Sequence, residues 1–440
     1  MLTCREISEL EPHDALWLQW KNLQTRVRPE LSLFGPEWYS IWSQTHGSAD
    51  RWTGNLRLLC VSDAEQNLQG VMVIAEQRYA GFRIQASGGY FQPWRTILAD
   101  RTMEAEVGRA LGEYVSRSGW LLCQLGPFVG SSPATSAMHE SLRDRGTSLV
   151  MKSSDQLAVS HVPSTFEEYK QRVLGGKFFR KIGYYERKMS QAGRVEIAHI
   201  RCPDAEQAHN MIADLARIEQ QSWLVKSARG RTRFSTDVAQ SFWKRLIGEA
   251  LTPNDQFDAW IIRFDDRPVS FGVTLTSQTT RYVIANQYDE AVSEFRTGST
   301  LYRYMIEEGI QRGVRTFDFG DGGIEYKKYW GAEYVDNVET FLVAPHWATS
   351  QLLPWAGSAM QWLKNRRRRP AAVEESEVES SEGQKPAVVQ ACDNPTPKQK
   401  HPAPVEEEMR MLNEANALIA ELKVYRKEHP SDSGDKSMSR

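Results

Sequence analysis

The sequence predicts an α/β fold made of two similar halves, followed by a C-terminal region of a different character. Strand and helix signals alternate through the first 345 residues, and one composite pattern occurs twice within them, at positions 194 residues apart. After residue 345 the alternation ends. The chain becomes rich in tryptophan and arginine there, and then in proline, serine and glutamate.

The repeated pattern is a helix end, a capping glycine, a short strand and a second glycine. It reads YVSRSGWLLCQLG at 114–126 and EGIQRGVRTFDFG at 308–320. A pair of strands joined by a turn precedes each copy, at 56–77 and 258–277, and residues 265–268 supply the second turn. Tandem duplication explains the repeat most simply. The alternative is that helix, glycine and strand follow one another in many α/β proteins.

Length and composition allow two core-forming domains. The 440 residues are 40% hydrophobic and 25% charged, as in ordinary globular proteins. With 54 basic and 56 acidic residues the net charge is -2, which excludes a global field that draws the protein to nucleic acid or anionic lipid. Such a partner would have to meet a local patch.

The cysteines favour a reducing compartment and argue against a disulfide framework or a zinc site. They are scattered, without C-x-x-C spacing, at Cys4, Cys60, Cys123, Cys202 and Cys392. The N-terminus lacks the pattern of a signal peptide, and no apolar run reaches the roughly 18 residues of a spanning helix. We therefore expect a cytoplasmic protein without a metal, which could sit at the inner face of the membrane.

The segment 346–369 combines three tryptophans with a run of arginines from Arg366 to Arg369. Its apolar side could lie on a membrane surface while the arginines meet anionic lipid. The alternative is a helix packed on the preceding half, and Pro354 interrupts either arrangement.

Residues 370–404 are predicted to be a disordered linker, because they are rich in proline, serine and glutamate and show no periodicity. The segment 405–430 is predicted to be a helix with one apolar face. Its apolar positions are Leu412, Ala415, Ile419 and Leu422. We expect 405–428 to dock on or pair with a protein partner, and 431–440 to be a disordered tail.

A candidate phosphate site lies where a helix of the second half begins. A strand at 282–287 is followed by a ten-residue loop and a helix whose first turn holds Gly298, Ser299 and Thr300. The unpaired N–H groups of a helix start and the helix dipole favour phosphate, and Arg296 adds a cation. The alternative is that a hydroxyl only caps the helix.

Two further groups of polar residues follow that helix. In RTFDFG, Phe317 and Phe319 share one face of a strand, and Asp318 lies on the other face near the strand end. Tyr326 and Lys327 lie in a glycine-flanked segment, where a phenol and an ammonium could supply a proton or bind an oxyanion. The alternatives are a solvated carboxylate and a solvated aromatic loop.

The stretch YKQRVLGGKFFRKIGYYERKMSQAGR, at 169–194, is basic with interleaved aromatics. This pattern could bind nucleic acid or an anionic sugar nucleotide. The alternative is a helix with one solvated basic face and one buried aromatic face.

The order of hairpin, strand, phosphate loop, helix, strand and G-x-x-E-Y-K-x-x-x-G resembles the GNAT acyltransferase superfamily. It is most similar to the two-lobed branch that contains CelD-like acetyltransferases of cellulose and exopolysaccharide biosynthesis and Fem-type peptidyltransferases. The stretches that carry the resemblance are FGPEWYSIW (34–42), IEQQSWLVKSARG (218–230), YDEAVSEFRTGSTLYRYMIEEGIQRGVRTFDFG (288–320) and EYKKYWGAE (325–333). The superfamily loop, Arg or Gln-x-x-Gly-x-Gly or Ala, has Phe295, Gly298 and Thr300 at its defined positions here.

The resemblance implies two tandem GNAT-like lobes, at 1–160 and 161–345, each a mixed, largely antiparallel sheet flanked by helices. The second lobe would be catalytic. The implied reaction is attack by an amine or a hydroxyl on an acyl thioester, with acetyl-CoA or another acyl-CoA as co-substrate. That reaction needs a base, oxyanion donors and an acid.

The resemblance also assigns roles. Asp318 is the first choice of base and Glu325 the reserve. Tyr326 would be the acid, and Lys327 would bind phosphate or polarise the acceptor complex. The residues expected to bind coenzyme A are Gln287, Arg296, Gly298, Ser299 and Thr300. Those expected to contact the acceptor are Trp223, Tyr288, Lys177 and Arg180, although Trp223 could instead be a buried interlobe residue.

A basic helix at 169–194 implies, within this family, an anionic sugar or lipid-linked acceptor rather than DNA. The expected function is acyl-CoA-dependent N- or O-acyl transfer to a cell-envelope or exopolysaccharide precursor. Two alternatives remain: a Fem-like peptidyltransferase that uses aminoacyl-tRNA, and a catalytically silent adaptor of a polysaccharide synthase complex.

Overall fold

A computed structural model describes residues 2–27, 35–46, 52–79, 82–87, 97–120, 122–144, 153–201, 203–222, 225, 232–251, 255–320 and 325–344. The segments predicted at 346–369, 370–404, 405–430 and 431–440 lie outside the described residues. Within the described ranges, no helix has the length and apolar character needed to cross a membrane.

The first half alternates strands and helices as predicted. Its elements are β1 (Thr3–Ile7), α1 (Ala15–Val27), α2 (Pro36–His46), β2 (Trp52–Ser62), β3 (Leu68–Tyr79), β4 (Phe82–Ser87), β5 (Leu98–Ala99), α3 (Glu104–Arg117), β6 (Cys123–Val129), α4 (Pro133–Asp144) and β7 (Ser153–His161). The predicted hairpin is β2 and β3, which pair antiparallel. Asp63 closes its turn by accepting a hydrogen bond from the Asn67 amide at 2.8 Å.

The second half repeats this alternation. Its elements are α5 (Phe166–Tyr169), a π-helical turn (Lys170–Leu174), α6 (Gly175–Ala192), β8 (Val195–Arg201), α7 (Ala205–Gln221), α8 (Asp237–Arg245), a second π-helical turn (Leu246–Ala250), β9 (Asp255–Phe264), β10 (Arg267–Ser277), β11 (Thr280–Tyr288), a 3₁₀ helix (Glu290–Phe295), α9 (Thr297–Gln311), β12 (Thr316–Asp318), α10 (Glu325–Lys328) and β13 (Glu333–Val343). Asp265 and Asp266 form the predicted turn between β9 and β10. Both have positive φ, as a two-residue type I′ hairpin requires.

The described strands of both halves form one continuous mixed sheet. Its order is β1-β2-β3-β4-β6-β13-β7-β12-β11-β10-β9-β8, with β5 paired to β3. The β4–β6 and β11–β12 pairs are parallel and the other described pairs antiparallel. This confirms the predicted mixed, largely antiparallel α/β fold.

The last strands of the two halves are exchanged. Strand β7 closes the first half in sequence but lies between β13 and β12, whereas β13 closes the second half and lies between β6 and β7. The predicted boundary between residues 160 and 161 therefore divides the chain but not the sheet.

The backbone reproduces the repeat seen in the sequence. Gly119 after α3 and Gly313 after α9 both adopt positive φ, at 69° and 85°. Gly126 and Gly320, which close the two copies, do so at 104° and 75°. The left-handed region is costly for other residues, so both copies need glycine at both points.

The hydrophobic core consists of three clusters, one of which joins the helices and strands of the two halves. A shared cluster joins α1, α2, β2 and β3 to α7, α8, β9, β10 and β11. Within it the rings of Trp38 and Phe242 meet edge to face at 6.4 Å across the two halves. The opposite sheet face is covered by α3 and α4 in the first half and by α6 and α9 in the second. The two halves are thus packed as one compact unit.

Candidate active site

The candidate site lies where two parallel strands separate. Strands β11 and β12 pair only from Thr280 opposite Thr316 to Tyr282 opposite Asp318. Strand β11 then continues to Tyr288, and the described residues offer no further strand on that side. Ligands of open α/β sheets bind outside the carboxyl ends of such strands. Among the described residues, the edge of β11 beyond Tyr282 therefore has no strand partner on this side, and we call the space beside it the opening.

A β-bulge interrupts β11 within this opening. Its register with β10 shifts between Val273 opposite Ala285 and Thr274 opposite Val283, which leaves Ile284 as the extra residue. The carbonyl oxygen of Ile284 accepts a hydrogen bond from the guanidinium of Arg233. Bulges locally re-aim backbone and side chains, and they recur beside active sites.

Helix α9 begins at the same edge. Arg296 adopts the left-handed conformation, with φ of 51°, and its carbonyl accepts the Ser299 amide at 2.9 Å. The helix itself supplies no acceptor for the N–H groups of Thr297 and Gly298. Its first turn holds no acidic residue. The sequence predicts an anion site at this helix start, and we call the N–H groups of Thr297 and Gly298 together with Arg296 the anion seat.

Gly298 allows α9 to start close against β11. The Asn286 amide nitrogen donates to the Gly298 carbonyl at 2.9 Å, and a Cβ added at Gly298 would lie 3.0 Å from Asn286 Oδ1. Tyr288 lies on the same side, 3.8 Å from that Cβ position. The helix start, Asn286 and Tyr288 therefore enclose one corner of the opening.

A buried hydroxyl at this corner lacks a partner. Thr297 is 1% exposed, and its Oγ1 has no hydrogen-bond partner in the described structure. Buried polar atoms are rarely left unsatisfied. Thr300 is also buried and Ser299 is half-buried. An orphaned hydroxyl beside free N–H groups fits a site that takes an oxygen-rich anion.

The departure from the superfamily loop at Phe295 has a structural reason. Phe295 is buried, and its ring lies 5.8 Å from that of Phe264. Arg296, one position further along, is exposed, and its guanidinium lies 6.0 Å from the Tyr185 ring. Helix α6 therefore flanks the anion seat.

Asp318 ends β12, an interior strand of the sheet, and is 9% exposed. One carboxylate oxygen accepts the Gly320 amide at 2.7 Å. Lys327 is 2% exposed and donates to the Gly320 carbonyl at 3.0 Å. Lys327 thus supports the turn after β12, and its expected role towards phosphate or the acceptor complex stays a prediction.

Tyr326 is paired with a tyrosine that sequence reasoning missed. Its hydroxyl shares a hydrogen bond with that of Tyr302, a buried residue of α9, and the ring centroids are 6.1 Å apart. Burial raises the pKa of both phenols, although 48% of Tyr326 is exposed. The hydrogen bond from Tyr302 and the charge of Arg233 oppose this rise in the Tyr326 pKa. A polar residue on the apolar face of α9 was the available sequence signal for Tyr302.

Gln287 belongs to a buried polar network. Its amide donates to Glu219 at 3.0 Å and accepts from the Ser222 hydroxyl at 3.0 Å. These contacts occupy one N–H and the carbonyl of the side chain, so its role in coenzyme A binding stays a prediction. Glu219 was also missed by sequence reasoning. It takes an otherwise apolar position of α7, together with Ile212, Leu215 and Ala216.

Two expected acceptor contacts, Lys177 and Arg180, are exposed on α6. The same helix reaches α10 through Phe178, whose ring stacks on Tyr329 at 5.3 Å. Trp223 and the side chain of Glu325 lie outside the described residues.

The described residues of the first half do not repeat this arrangement. Helix α3, the repeat counterpart of α9, has Glu104 and Glu106 in its first turn, and these carboxylates repel phosphate. Gln124 stands at the repeat position of Asp318. The anion seat and the candidate base therefore belong to the second half.

Comparison with known proteins agrees with this placement. Residues 176–328 match the family model described as an acetyltransferase (GNAT) domain. The matched range holds every predicted catalytic and coenzyme-binding residue. The CelD-like branch stays a prediction.

Several solved structures have a similar fold. A tandem GNAT protein from the clavulanic acid biosynthesis pathway aligns with a TM-score of 0.46 and 10% identity, over 78% of this chain and 99% of that one. FemX aligns at 0.43 and 11%, over 69% and 90%. L-PGS from Bacillus licheniformis aligns at 0.43 and 10%, over 71% and 90%. At these identities the similarity concerns the fold alone.

No curated protein matches the chain. The family match nevertheless shows that residues 176–328 are similar to acetyltransferase (GNAT) domains, which supports acyl transfer as the activity.

Proposed function

We propose that this protein transfers an acyl group, most simply acetyl, from acyl-CoA to an amine or hydroxyl of an anionic cell-envelope or exopolysaccharide precursor. The observation that carries the proposal is the anion seat at the start of α9. It opens onto the separation of β11 and β12 inside the acyltransferase domain. Free helix N–H groups and a cleft between parallel strands suit a nucleotide-linked substrate.

The residues at the seat fit coenzyme A. The N–H groups of Thr297 and Gly298 and the orphaned Thr297 hydroxyl would hold the pyrophosphate, and exposed Arg296 would add charge. Acyl-CoA supplies an activated acyl thioester when it is bound. In the described residues β12 pairs with β11 only as far as Tyr282, so the strand edge beyond it would hold the extended arm beside the bulge.

Asp318 and Tyr326 are the groups that we propose for catalysis. Asp318 at the end of β12 would take the proton of the acceptor, directly or through one water. Tyr326 would give its hydroxyl proton to the departing sulfur. Its partner Tyr302 would keep a hydrogen bond on the phenolate so formed. The proton lost by the acceptor then restores Tyr326, so no net proton is gained or lost by the protein.

The exposed basic residues of helix α6 support the proposal of an anionic acceptor. Its exposed positions include four cations, Lys177, Arg180, Lys181 and Arg187. By contrast, Lys170 and Arg172 of the preceding turn are already paired with Glu167 and Glu168. Because α6 contacts both Tyr329 beside α10 and Arg296 at the seat, an acceptor phosphate on its basic face would lie near both.

The experiment is a ligand-induced shift of the melting temperature. Acetyl-CoA should raise the melting temperature of the full chain, and Arg296→Ala combined with Gly298→Val should abolish the rise. The matched control is Arg109→Ala, an exposed arginine on α3. If the variant keeps the full shift, the nucleotide does not use this seat.

The alternatives predict different behaviour. A Fem-like enzyme would turn over aminoacyl-tRNA and show no thioester turnover. A silent adaptor would keep its cellular role after Asp318→Asn and lose it after removal of 405–428. Turnover of acetyl-CoA with an added amine acceptor excludes both.

A further inference from the structure

Glu219 is a buried carboxylate with an unusual set of partners. It is fully buried in α7 and accepts the backbone N–H groups of Arg233, Phe234 and Ser235 at 2.8 to 2.9 Å. The Gln287 amide adds a further donor at 3.0 Å. A buried charge is costly unless it is hydrogen-bonded in this way, so the arrangement is built around the charge.

Hydrogen bonds to both the N–H and the carbonyl of Arg233 hold its backbone in place. Its N–H donates to Glu219, while its carbonyl accepts the indole N–H of Trp243 at 2.8 Å. The side chain then reaches the carbonyl of Ile284, the extra residue of the β11 bulge. Arg233 therefore links the α7 carboxylate to the strand that lines the opening.

The guanidinium also acts on Tyr326. Its positive charge lowers the Tyr326 pKa, against the rise that burial causes. The phenol thus faces two groups that favour its ionised form, the hydrogen bond from Tyr302 and the charge of Arg233. A general acid works best when the anion it leaves behind is stabilised.

We propose that Glu219 is a positioning residue for acyl transfer, because its hydrogen bonds to the 233–235 backbone hold the Arg233 guanidinium on the Ile284 carbonyl, at the β11 bulge that borders the opening. This rests on the proposed function for the step in which the phenol is used. In that step the O–H bond of Tyr326 breaks and an S–H bond forms on the departing thiolate. The electron pair stays on the phenolate oxygen until the proton from the acceptor restores the phenol.

The alternative is that Glu219 only stabilises the fold. A buried carboxylate that ties a loop to a helix would do that without any effect on the reaction. The two roles differ in what they do to Tyr326. Only the positioning role links Glu219 to phenol ionisation and to the pH dependence of turnover.

The first variant is Arg233→Met, with Arg263→Met as its matched control. Arg263 pairs with Asp214 on the same helix α7, away from the bulge. Arg233→Met should lower kcat about 10-fold or more, leave the KM for acetyl-CoA within about 2-fold, and move the basic limb of the kcat profile to higher pH. Arg263→Met should do none of these. Unchanged kcat and an unmoved basic limb in Arg233→Met would overturn the proposal.

The second test exchanges charge within the network. Glu219→Gln places an amide N–H against backbone donors, so it should reproduce the kinetic effects of Arg233→Met. In the double variant Glu219→Gln with Gln287→Glu, the amide of residue 219 can donate to the carboxylate at 287 while its carbonyl accepts the backbone N–H groups. Recovery of kcat and of the basic limb in the double variant is expected. Recovery of the melting temperature alone would show a purely structural role.

A measurement without substrate separates this inference from the proposed function. Ultraviolet titration of the wild type against Tyr326→Phe isolates the ionisation of the Tyr326 phenol. The same comparison is then made in proteins that also carry Arg233→Met. There the Tyr326 phenol should ionise at a higher pH, even if no acyl-CoA is turned over. If wild type lacks acyltransferase activity but the ionisation moves, the proposed function fails alone. An unmoved ionisation refutes the positioning role.

Discussion

Asp318 and Lys327 hydrogen-bond to the two backbone groups of the same residue, Gly320. The carboxylate accepts the Gly320 amide at 2.7 Å, and the ammonium donates to the Gly320 carbonyl at 3.0 Å. Gly320 has a φ of 75°. The two side chains therefore hold the turn that carries the chain from β12 towards α10 and Tyr326.

Asp318→Asn tests whether the carboxylate acts as a base. An asparagine oxygen can still accept the Gly320 amide, so the turn should survive and the melting temperature should change little. Turnover should fall roughly 100- to 10,000-fold, the usual range for loss of a general base. Steady-state kinetics at saturating acyl-CoA measure it. Retained turnover would mean that another group takes the proton.

Lys327→Met tests whether this lysine supports the fold. The change removes a donor to a buried carbonyl, which costs about 1 to 3 kcal/mol of unfolding free energy. Urea denaturation measures the loss. Affinity for coenzyme A should be unchanged, because the ammonium is 2% exposed. The control is Lys328→Met, an exposed neighbour, and a weaker coenzyme A complex in Lys327→Met alone would restore the expected phosphate role.

Arg281→Met should destabilise the second half strongly. This guanidinium is fully buried, with its nitrogens 2.7 Å from Glu308 and 3.6 Å from Asp258. Removing one partner of a buried ion pair costs up to about 3 to 5 kcal/mol. Arg201 and Arg312 stay beside the same two carboxylates and limit the loss. Arg201→Met is the control, since its side chain is 46% exposed and contacts the same carboxylates. Equal losses in the two variants would show that burial is not the cause.

Local features of the fold could be predicted from the sequence. The turn at Asp265 and Asp266, the helix start at Gly298 and the repeated glycines are fixed by short-range backbone preferences, which adjacent residues reveal. The exchange of β7 and β13 could not be predicted, because strand order depends on contacts between residues far apart in the chain.

The same limit applies to the candidate site. Asp318 and Tyr326 lie next to glycines and a strand end, so their residue types were conspicuous in the sequence. The sequence could not show that Tyr302 on α9, Glu219 on α7 and Arg233 between α7 and α8 belong to one site, because only folding brings them together. Each polar residue on an apolar helix face was a signal that something buried had to be satisfied, but it did not name the partner.

Alkaline pH should weaken the first half through buried acids. Burial raises the pKa of the Cys60 thiol from 9.0 to about 12 and that of the Tyr39 phenol from 10.0 to about 12. Between these values the unfolded chain has lost protons that the native state keeps. Unfolding free energy is therefore fully present below about pH 9 and falls as pH rises towards 12.

Cys60→Val removes one of these protons from a fully buried site of β2. The fall in unfolding free energy between about pH 8 and about pH 10.5, measured by urea denaturation, should be shallower in this variant than in wild type. The half-buried thiol of Cys4 and the buried thiol of Cys123 keep part of the slope, because burial raises their pKa as well. Leu58→Val on the same strand alters packing without removing a proton, so it should lower stability equally at every pH. An unchanged slope in Cys60→Val would mean that the native state releases this proton as readily as the unfolded chain does.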